Sequence, residues 1–452
     1  MPEPSFPAPA TQPAHDPYAA FRSRNYVLYA AGNFIAASGR QMLTVALEWE
    51  VYARTHSATA LGLVGLAAAL PVVGLSLPAG HLADRYRRKT IILCSQVLSA
   101  LCSICLALLS FNHLALPRLP ILLHANDGLR FIAHIFERHA TYHFDDLSLP
   151  LFYVVMLLSG SARTFGWAAR ASFFPTLMPR DDFANAVTWN SSMFQIASVV
   201  GPALAGLLIV RLGFPFIYAL DACCALVFFL LALPIKKVRE SKRVTTSPWE
   251  SLAEGIRFVA GRKVILAAIT LDMFAVLLGG ATALLPIFAD QILHCGPIGL
   301  GWLRAAPAVG SFGMAVLIAF LPPMRNAGRT LLWCVSGFGL ATIVFGLSTW
   351  FWLSLAMLFV TGVFDSVSVV VRQTLVQLLT PDEMRGRVSA VNNIFIGTSN
   401  EFGAVESGLT AAVFGPVISV VGGGIGTILV VLGVALKWPE VRKIGKLDRS
   451  LH

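Results

Sequence analysis

Twelve apolar stretches run through this chain of 452 residues and limit what it can fold into. Hydrophobic residues make up 56% of the sequence and charged residues only 13%, which excludes a soluble domain. About 20 apolar residues cross the hydrocarbon core of a bilayer, and they cross it as a helix because lipid offers the backbone no hydrogen-bond partners. The sequence therefore predicts an all-α membrane protein with twelve transmembrane helices. Their expected positions are residues 26–53, 59–83, 90–111, 149–172, 184–210, 214–235, 263–289, 298–322, 329–348, 350–376, 387–414 and 416–437.

An internal repeat divides these stretches into two sets of six. Several residues recur at a constant separation of 202 positions: Arg170 and Arg372, Pro179 and Pro381, Asn190 and Asn392, Gly201 and Gly403, and Gly206 and Gly408. Upstream, Gly62 matches Gly301 at a separation of 239, and the polar segment 112–148 explains the change as an inserted extracytoplasmic loop. We expect two pseudo-symmetric six-helix bundles, 21–235 and 263–437. Duplicated membrane proteins of this kind commonly place a solute site between their halves.

The segments outside the bundles are expected to lie in the cytoplasm, together with both termini. Residues 1–20 are predicted to form a disordered tail, 236–262 a linker with an amphipathic segment, and 438–452 a second tail. In this orientation most of the 34 Lys and Arg residues fall on the cytoplasmic side, as the positive-inside rule requires. The net charge of +10 then reflects topology and contact with anionic lipid, and it gives no support to nucleic-acid binding.

The loop after the second stretch carries the first recognisable motif. It contains Gly80, Asp84, Arg85, Arg88 and Lys89. A glycine in a helix tail lets another helix approach, and a carboxylate among cations at the membrane surface can pair with helix ends or basic groups. The pattern resembles the signature loop of the major facilitator superfamily, which acts in that family as a cytoplasmic gate. It departs from the signature at Arg87, where the family usually has glycine, and the alternative is a generic basic loop.

Two further segments narrow the resemblance. Gly201, Pro202 and Gly206 look like the antiporter motif of the superfamily, in which small residues and a proline let helices cross closely. The alternative is ordinary small-residue packing. Together with the linker, residues 380–388 resemble the twelve-helix drug:proton antiporter type, which includes bacterial enterobactin and macrolide exporters. The resemblance covers about residues 21–438 and implies the major facilitator fold, a monomer and export in exchange for protons.

Ionisable residues inside the stretches are the candidates for substrate binding or proton coupling, because a charge within the bilayer is costly. They are Arg40, Arg163, Asp272, Asp365, Glu401 and Glu406. At 1.5 Å per residue, Asp272 lies roughly 13 Å from the inner surface, close to the midplane, and Asp365 and Glu401 reach a similar depth. These three could reach a central cavity. The alternative is that the charges form static pairs between helices.

The repeat also suggests partners for some of these charges. Arg163 and Asp365 occupy equivalent positions with opposite charge, so we expect them to face each other across the two halves. Arg170 and Arg372 share a position near the inner face, which indicates a common structural task such as an inner gate.

Other polar groups are expected to face water. Glu48 and Glu50 lie near the outer end of the first stretch, where a carboxylate can simply be solvated. Segment 112–148 holds five of the ten histidines, and His139 and His143 would share one face of a helix. No spacing in it matches a complete metal site, so we interpret the segment as a surface loop beside the bundle and expect no bound metal.

These features favour a transporter over an enzyme. An enzyme acting on lipid would need a clustered nucleophile, base or metal set at one membrane face, and neither such a cluster nor a Walker-type phosphate loop is visible. We expect a secondary transporter of the bacterial inner membrane that exports amphiphilic drugs, siderophores or related metabolites by alternating access. A proton gradient would drive it, without any cofactor. A lipid or lysophospholipid flippase, an importer of the same fold and a sensor without transport stay open as alternatives.

Overall fold

The first half of the chain consists of long helices that cross the molecule in alternating directions. The computed structural model describes residues 16–111, 120–137, 147–179, 182–236, 248–321, 326–443 and 445, and this part contains no strand. The helices of the first half are α1 Arg24–Thr55, α2 Ala58–Arg85, α3 Arg88–Ser110, α4 Pro120–Phe136, α5 Leu149–Phe173, α6 Phe183–Leu212 and α7 Phe214–Ala232. Short 3-10 turns precede α1 at Ala19–Arg22 and follow α5 at Phe174–Thr176.

The second half repeats this arrangement after a connecting helix. Its helices are α8 Pro248–Gly261, α9 Lys263–Leu278, α10 Leu285–Ile287, α11 Gly296–Phe320, α12 Ala327–Leu347, α13 Phe351–Leu378, α14 Asp382–Phe414 and α15 Pro416–Lys437. A 3-10 turn at Ala281–Leu284 and a π turn at Phe288–Ile292 flank α10, so that α9, α10 and these turns form one broken span. A last 3-10 turn lies at Val441–Lys443.

The helices confirm the predicted all-α membrane fold of two six-helix bundles. Within the described residues, ten helical segments are long and apolar enough to cross a membrane. The two remaining predicted spans, α1 and α14, have 32 and 33 residues and are long enough but more polar. Both helices contact the opposite half of the molecule. Polar side chains on these two helices can therefore face the space between the halves and avoid lipid.

Parts of the predicted tails, inserted loop and linker lie outside the described residues. They are residues 1–15, 112–119, 138–146, 237–247, 444 and 446–452, and they include His113, His139 and His143. The described part of the inserted loop is α4, which packs beside α2 and α5. We call the end of the bundle that carries α4 the loop face, and the opposite end, which holds the start of α1 and the end of α15, the termini face.

Two tight turns at the loop face show the repeat in the backbone itself. Gly213 ends α6 and Gly415 ends α14, and their φ angles are 78° and 88°. Glycine adopts positive φ without the steric cost that a Cβ atom would add. The two glycines lie 202 positions apart, the same separation as the other repeated residues, so each half turns at the same point for the same reason.

Among the described residues, the hydrophobic core joins the two halves near the loop face and not at the other end. One cluster there combines Leu61 and Phe152 of the first half with Leu300 and Phe345 of the second. Toward the termini face the core divides into separate clusters, one in the first half and two in the second half with its connecting helix. Between the halves, the main helix contacts are those of α2 with α14 and of α6 with α11. Burial of apolar surface therefore holds the halves together at one end of the molecule.

Candidate functional site

A cavity of about 330 Å³ lies between the two halves. Its polar lining includes Gln195 and Ser198 from α6, and Thr282, Ser311, Asp365 and Asn400 from the second half. Phe338, Phe345 and Leu358 contribute apolar surface. A few polar groups set in an apolar wall are typical of sites for small organic molecules.

An ion pair closes the cavity on the side of the loop face. Arg304 in α11 donates hydrogen bonds of 2.9 and 3.1 Å to the two carboxylate oxygens of Glu48 in α1. A second contact nearby joins the Tyr52 hydroxyl to Asp290 over 3.3 Å. The prediction that Glu48 is solvated is wrong, because α11 of the other half covers it and leaves its side chain 12% exposed. Two-point contacts between arginine and carboxylate fix geometry as well as energy.

Repeated glycines bring the halves into backbone contact at the same level. A Cβ atom on Gly408 would lie 2.4 Å from the Cα of Gly62, and one on Gly301 would lie 3.2 Å from the Cα of Gly206. These two contacts are equivalent by the internal repeat, because Gly62 corresponds to Gly301 and Gly206 corresponds to Gly408. The contact of α2 with α14 and that of α6 with α11 are therefore pseudo-symmetric copies, and glycine permits each close approach.

The residues of the candidate antiporter motif take part in this packing. A Cβ atom on Gly201 would lie 2.5 Å from the Cβ of Gln41 in α1, so Gly201 packs within the first half. The carbonyl oxygen of Pro202 would lie 2.5 Å from a Cβ atom on Gly301, and Gly206 contacts the same helix. The motif thus lies at the junction of α6 with α1 and α11, and its connection with antiport stays a prediction.

The same helices separate toward the termini face. The gap between α14 and α2 widens along α14. A Cβ atom on Gly408 would lie 2.4 Å from Gly62, and one on Gly397 would lie 3.7 Å from Val72. A Cβ atom on Gly386 would have no neighbour within 4 Å. Nothing lies within 4 Å of a Cβ atom on Gly80 near the end of α2, so none of the described helices packs against this position. The molecule is therefore closed at the loop face and parted at the termini face.

The candidate gating loop between α2 and α3 binds the ends of other helices in the first half. Arg88 donates to the carbonyl of Ser172 over 2.9 Å, and Lys89 donates to Leu233 and Ile235 over 2.6 and 2.9 Å. Cations stabilise helix C-termini, where carbonyl groups lack partners within the helix. Asp84 lies 3.8 Å from Arg88 and is half exposed, and Arg85 is exposed. These contacts stay within the first half.

A buried ion pair and a nearby carboxylate occupy the centre of the second half. Arg372 in α13 donates to Asp272 in α9, and their side chains are 2% and 7% exposed. Asp365 lies two turns from Arg372 on the same helix and lines both the central cavity and a small pocket next to Asp272. Asp365 therefore connects the cavity with the buried pair. The assignment of Arg372 to an inner gate stays a prediction.

Arg163 has a different partner from the one predicted. It donates over 3.0 Å to Glu401 in α14, across the two halves, and the predicted contact with Asp365 is wrong. The repeat places Arg163 and Asp365 at equivalent positions, each within its own half. Equivalent positions need not be in contact with each other. Helix α13, which carries Asp365, packs mainly on helices of its own half, whereas α14 lies at the junction. Arg163 is 42% exposed, so this pair borders open space.

The remaining candidates make few contacts. The Glu406 carboxylate accepts a long hydrogen bond of 3.5 Å from the Ser407 hydroxyl. Arg40 and Arg170 are half-buried, and within the described part of the chain neither guanidinium has a hydrogen bond or an ion pair. Among the described residues, no group of three or more His, Cys, Asp and Glu side chains is placed to hold a metal ion.

The sequence predicted that Glu50 faces water, but its carboxylate links helices of the first half through hydrogen bonds. Its side chain is 1% exposed and accepts hydrogen bonds from Tyr218 over 2.6 Å, from Ser110 over 2.7 Å and from Arg54 over 3.0 Å. The expectation that Glu50 is solvated is therefore wrong. One signal was available, since the spacing of Glu50 and Arg54 by four positions predicts a pair on one helix face.

The chain is similar to known transporters. A sequence profile described as the Major Facilitator Superfamily matches residues 29–326. Enterobactin exporters named EntS, from Shigella boydii serotype 18 and Escherichia coli strain SE11, are 26% identical to the chain over 411 residues, which is 91% of each protein.

Solved structures agree in fold. A D-xylose-proton symporter has a TM-score of 0.67 at 14% identity and covers 94% of this chain and 100% of its own. An inward-facing, unoccupied bacterial homologue of the human lysosomal transporter Spinster has a TM-score of 0.65 at 15% identity and covers 94% and 99%. The profile match over most of the chain and the twelve-helix fold identify a multi-pass membrane transporter, and the chain belongs to the Major Facilitator Superfamily.

Proposed function

We propose that this protein exports amphiphilic small molecules across the bacterial inner membrane by alternating access. The observation that carries the proposal is the arrangement of the halves, which are sealed at the loop face and parted at the termini face around a cavity with mixed lining. The similarity to enterobactin exporters over 91% of the chain supports the direction of transport. One chain forms the whole cavity, so a monomer is sufficient.

The orientation follows from charge. The termini face carries the basic loop between α2 and α3, including Arg85, Arg87, Arg88 and Lys89. Positive residues stay on the cytoplasmic side of bacterial membranes, so the termini face is cytoplasmic and the loop face is periplasmic. The structure then corresponds to an inward-open state in which solute enters from the cytoplasm, and the pair of Glu48 with Arg304 belongs to the periplasmic gate.

Coupling to protons is assigned to the acidic residues of the second half. Asp365 is in contact with the cavity and leads to the buried pair of Asp272 with Arg372. A proton on Asp272 would neutralise one partner of that pair and leave Arg372 free to interact with Asp365. Breaking a buried ion pair on one side costs several kcal/mol, which is enough to drive a rearrangement of α9 against α13. Inward proton movement would thus supply the energy for export.

Flux in proteoliposomes tests this proposal. Wild-type protein should move lipophilic substrates only when a proton gradient is applied, and Asp365→Asn or Asp272→Asn should abolish gradient-driven flux while substrate binding persists. Glu401→Gln, which removes the partner of Arg163, should slow flux without uncoupling it. Asp127→Asn in α4 is the matched control, because Asp127 is 70% exposed.

Other outcomes would redirect the assignment. Flux that ignores the proton gradient in wild type and in all variants would contradict antiport and favour a lipid flippase of the same fold. Solute accumulation on the side of the termini face, driven by the same gradient, would show an importer. Binding without any flux would show a sensor.

A further inference from the structure

Three arginines of the first half lie near one another, and among the described residues two of them, Arg40 and Arg170, lack the acidic partners that buried cations normally have. The three are Arg40 on α1 and Arg163 and Arg170 on α5. Arg163 and Arg170 lie seven positions apart, about two turns, so both point to the same side of α5. The charged groups that act on Arg40 are Arg170, Asp221 and Arg163. Two of these three neighbours are cations.

The nearby acids do not balance this charge. Asp221 is 4% exposed and accepts a hydrogen bond of 2.6 Å from Ser103, and no ion pair joins it to Arg40. Glu401 pairs with Arg163 but belongs to the other half, so this contact depends on how the halves are placed. Within the described residues, Arg40 and Arg170 have no hydrogen-bond or ion-pair partner. Their guanidinium nitrogens are open to solvent.

An arginine without a partner inside a membrane protein is expensive to keep. Desolvating its charge costs several kcal/mol, and a bound anion offsets more of this cost than water in a cavity does. The planar guanidinium presents a fork of donors that matches carboxylate, sulfonate and phosphate groups. The missing counter-charge at Arg40 and Arg170 therefore points to a ligand that brings its own negative charge.

We propose that the solutes carried by this protein are amphiphilic organic anions, whose acidic group binds between Arg40 and Arg170 and whose apolar part lies in the central cavity. This inference rests on the proposed transport function and specifies its substrate class. Arg163 adds a link to conformational change, because an anion that reaches it competes with Glu401. Binding would then release one ionic contact between α5 and α14 and ease movement of the halves.

Three probes that share one aromatic ring system test the charge preference. They are 1-pyrenebutyrate, the neutral 1-pyrenebutanol and the cationic 1-pyrenemethylamine, followed by energy transfer from protein tryptophan in nanodiscs at pH 7. Wild type should bind the anion at least tenfold more tightly than the alcohol and should bind the cation most weakly. Arg40→Gln and Arg170→Gln should each remove most of this preference while leaving the binding of the alcohol unchanged.

A stability measurement separates binding from folding. Removing an unpaired, half-buried charge should leave the Tm of Arg40→Gln equal to or above that of wild type. A fall in Tm would show instead that Arg40 has a structural partner. Arg257→Gln on α8 is the matched control, because Arg257 is exposed and should affect neither probe preference nor Tm.

Equal binding of the three probes, or a preference for the anion that survives both substitutions, would overturn the inference. Flux distinguishes this failure from failure of the proposed function. Gradient-driven export of the neutral or cationic probe without preference for the anion would reject the substrate class and retain the exporter. Preferential binding of the anion that depends on both arginines, without flux of any probe, would retain the site and reject export.

Discussion

Two acidic residues of α1 show how helical geometry separates their roles. Glu48 and Glu50 are two positions apart, so their side chains point about 200° apart around the helix. Glu48 meets Arg304 of the other half, whereas Glu50 accepts a hydrogen bond from Tyr218 of its own half. The first contact must break when the loop face opens, and the second can persist throughout. One carboxylate therefore belongs to a gate and the other to a rigid body.

We expect Glu48→Gln to populate a state that is open at the loop face. The substitution keeps the shape of the side chain but leaves Arg304 without a carboxylate. Losing one partner of a largely buried pair costs about 2 kcal/mol, or roughly a thirtyfold change in the ratio of the two states. Spin labels at Leu212 and Trp350, which are 51% and 64% exposed, should report longer distances in a larger fraction of molecules.

Two other carboxylates serve as controls in the same spin-labelled protein, from which the native cysteines are removed so that only the introduced sites are labelled. Glu440→Gln affects an exposed contact with Lys263 at the termini face and should leave the distances unchanged. Glu50→Gln should lower the Tm without opening the loop face. An unaltered distance distribution in Glu48→Gln would show that its pair with Arg304 does not hold the gate.

At the scale of helices, the two junctions between the halves depend on the absence of side chains. Where α2 meets α14, a Cβ atom on Gly408 would clash with Gly62. A Cβ atom on Gly62 would have slightly more room. The backbone cannot relieve such a clash without moving a whole helix, because the interior is closely packed. The steric demands at these positions therefore control whether the loop face can close.

We expect Gly408→Val to keep α2 and α14 apart and to favour the state that is open at the loop face. The effects of alanine should be graded, with Gly408→Ala stronger than Gly62→Ala, because the two Cβ atoms would lie 2.4 and 3.3 Å from the opposite Cα atom. The same pair of spin labels measures the effect. Gly433→Val on α15 is the control, since nothing lies within 4 Å of its Cβ position, and an equal effect there would contradict the steric explanation.

Helix α4 shows how an inserted segment is anchored. Glu137 follows α4, is 4% exposed, and accepts hydrogen bonds from the Thr59 amide over 2.7 Å and the Ser57 hydroxyl over 3.0 Å. A negative charge at the N-terminus of α2 is favourable, because the first amides of a helix lack partners. Since α4 also touches α14, this anchor lies next to the junction of the halves.

We expect Glu137→Gln to weaken the anchor by about 1 kcal/mol, because the amide keeps the shape of the side chain but loses the charge. Hydrogen exchange should then accelerate at the first turn of α2 and along α4, with little change elsewhere. Asp127→Asn on the exposed side of α4 should leave exchange at wild-type rates. Equal protection in Glu137→Gln would mean that apolar contacts alone hold α4.

At the scale of the molecule, the helices that touch at the loop face are positioned to touch at the other end as well. Gly62 and Gly80 are five helical turns apart on α2, and Ala390 and Gly408 are five turns apart on α14. Residues separated by whole turns share a face, so Gly80 points toward Ala390. Nothing lies within 4 Å of a Cβ atom on Gly80, and Ala390 is exposed in this conformation. Rocking of the halves would bring them together as Gly62 and Gly408 separate.

We expect the double variant Gly80→Cys, Ala390→Cys to form a disulfide only in the state that is open at the loop face. Cross-linking should be slow in the otherwise unaltered protein and should rise severalfold when Gly408→Val is added. Mass spectrometry of the oxidised protein measures the yield. Gly80→Cys with Gly433→Cys should stay unlinked in both backgrounds, and a yield independent of Gly408→Val would contradict a rocking movement of rigid halves.

Much of the fold could be predicted because its signals are local or repeated. Each span is a run of apolar residues of the length of a bilayer, and this property does not depend on the rest of the chain. The repeated glycines were visible as a constant separation, and Gly62 and Gly206 lie at the two junctions between the halves. Charges were harder to assign, since a residue such as Arg163 has several acids at suitable depth within reach.

The sequence alone determines that this protein crosses a membrane many times in two related halves, because hydropathy and internal repetition are properties of the chain itself. Only the tertiary structure decides that Glu48 meets Arg304 and that Arg163 meets Glu401, and that Arg40 forms no ion pair within the described residues. The physical reason is that a partner in space depends on the rotation of each helix and on the placement of the two halves. Packing of all the helices together sets both, and no local pattern encodes them.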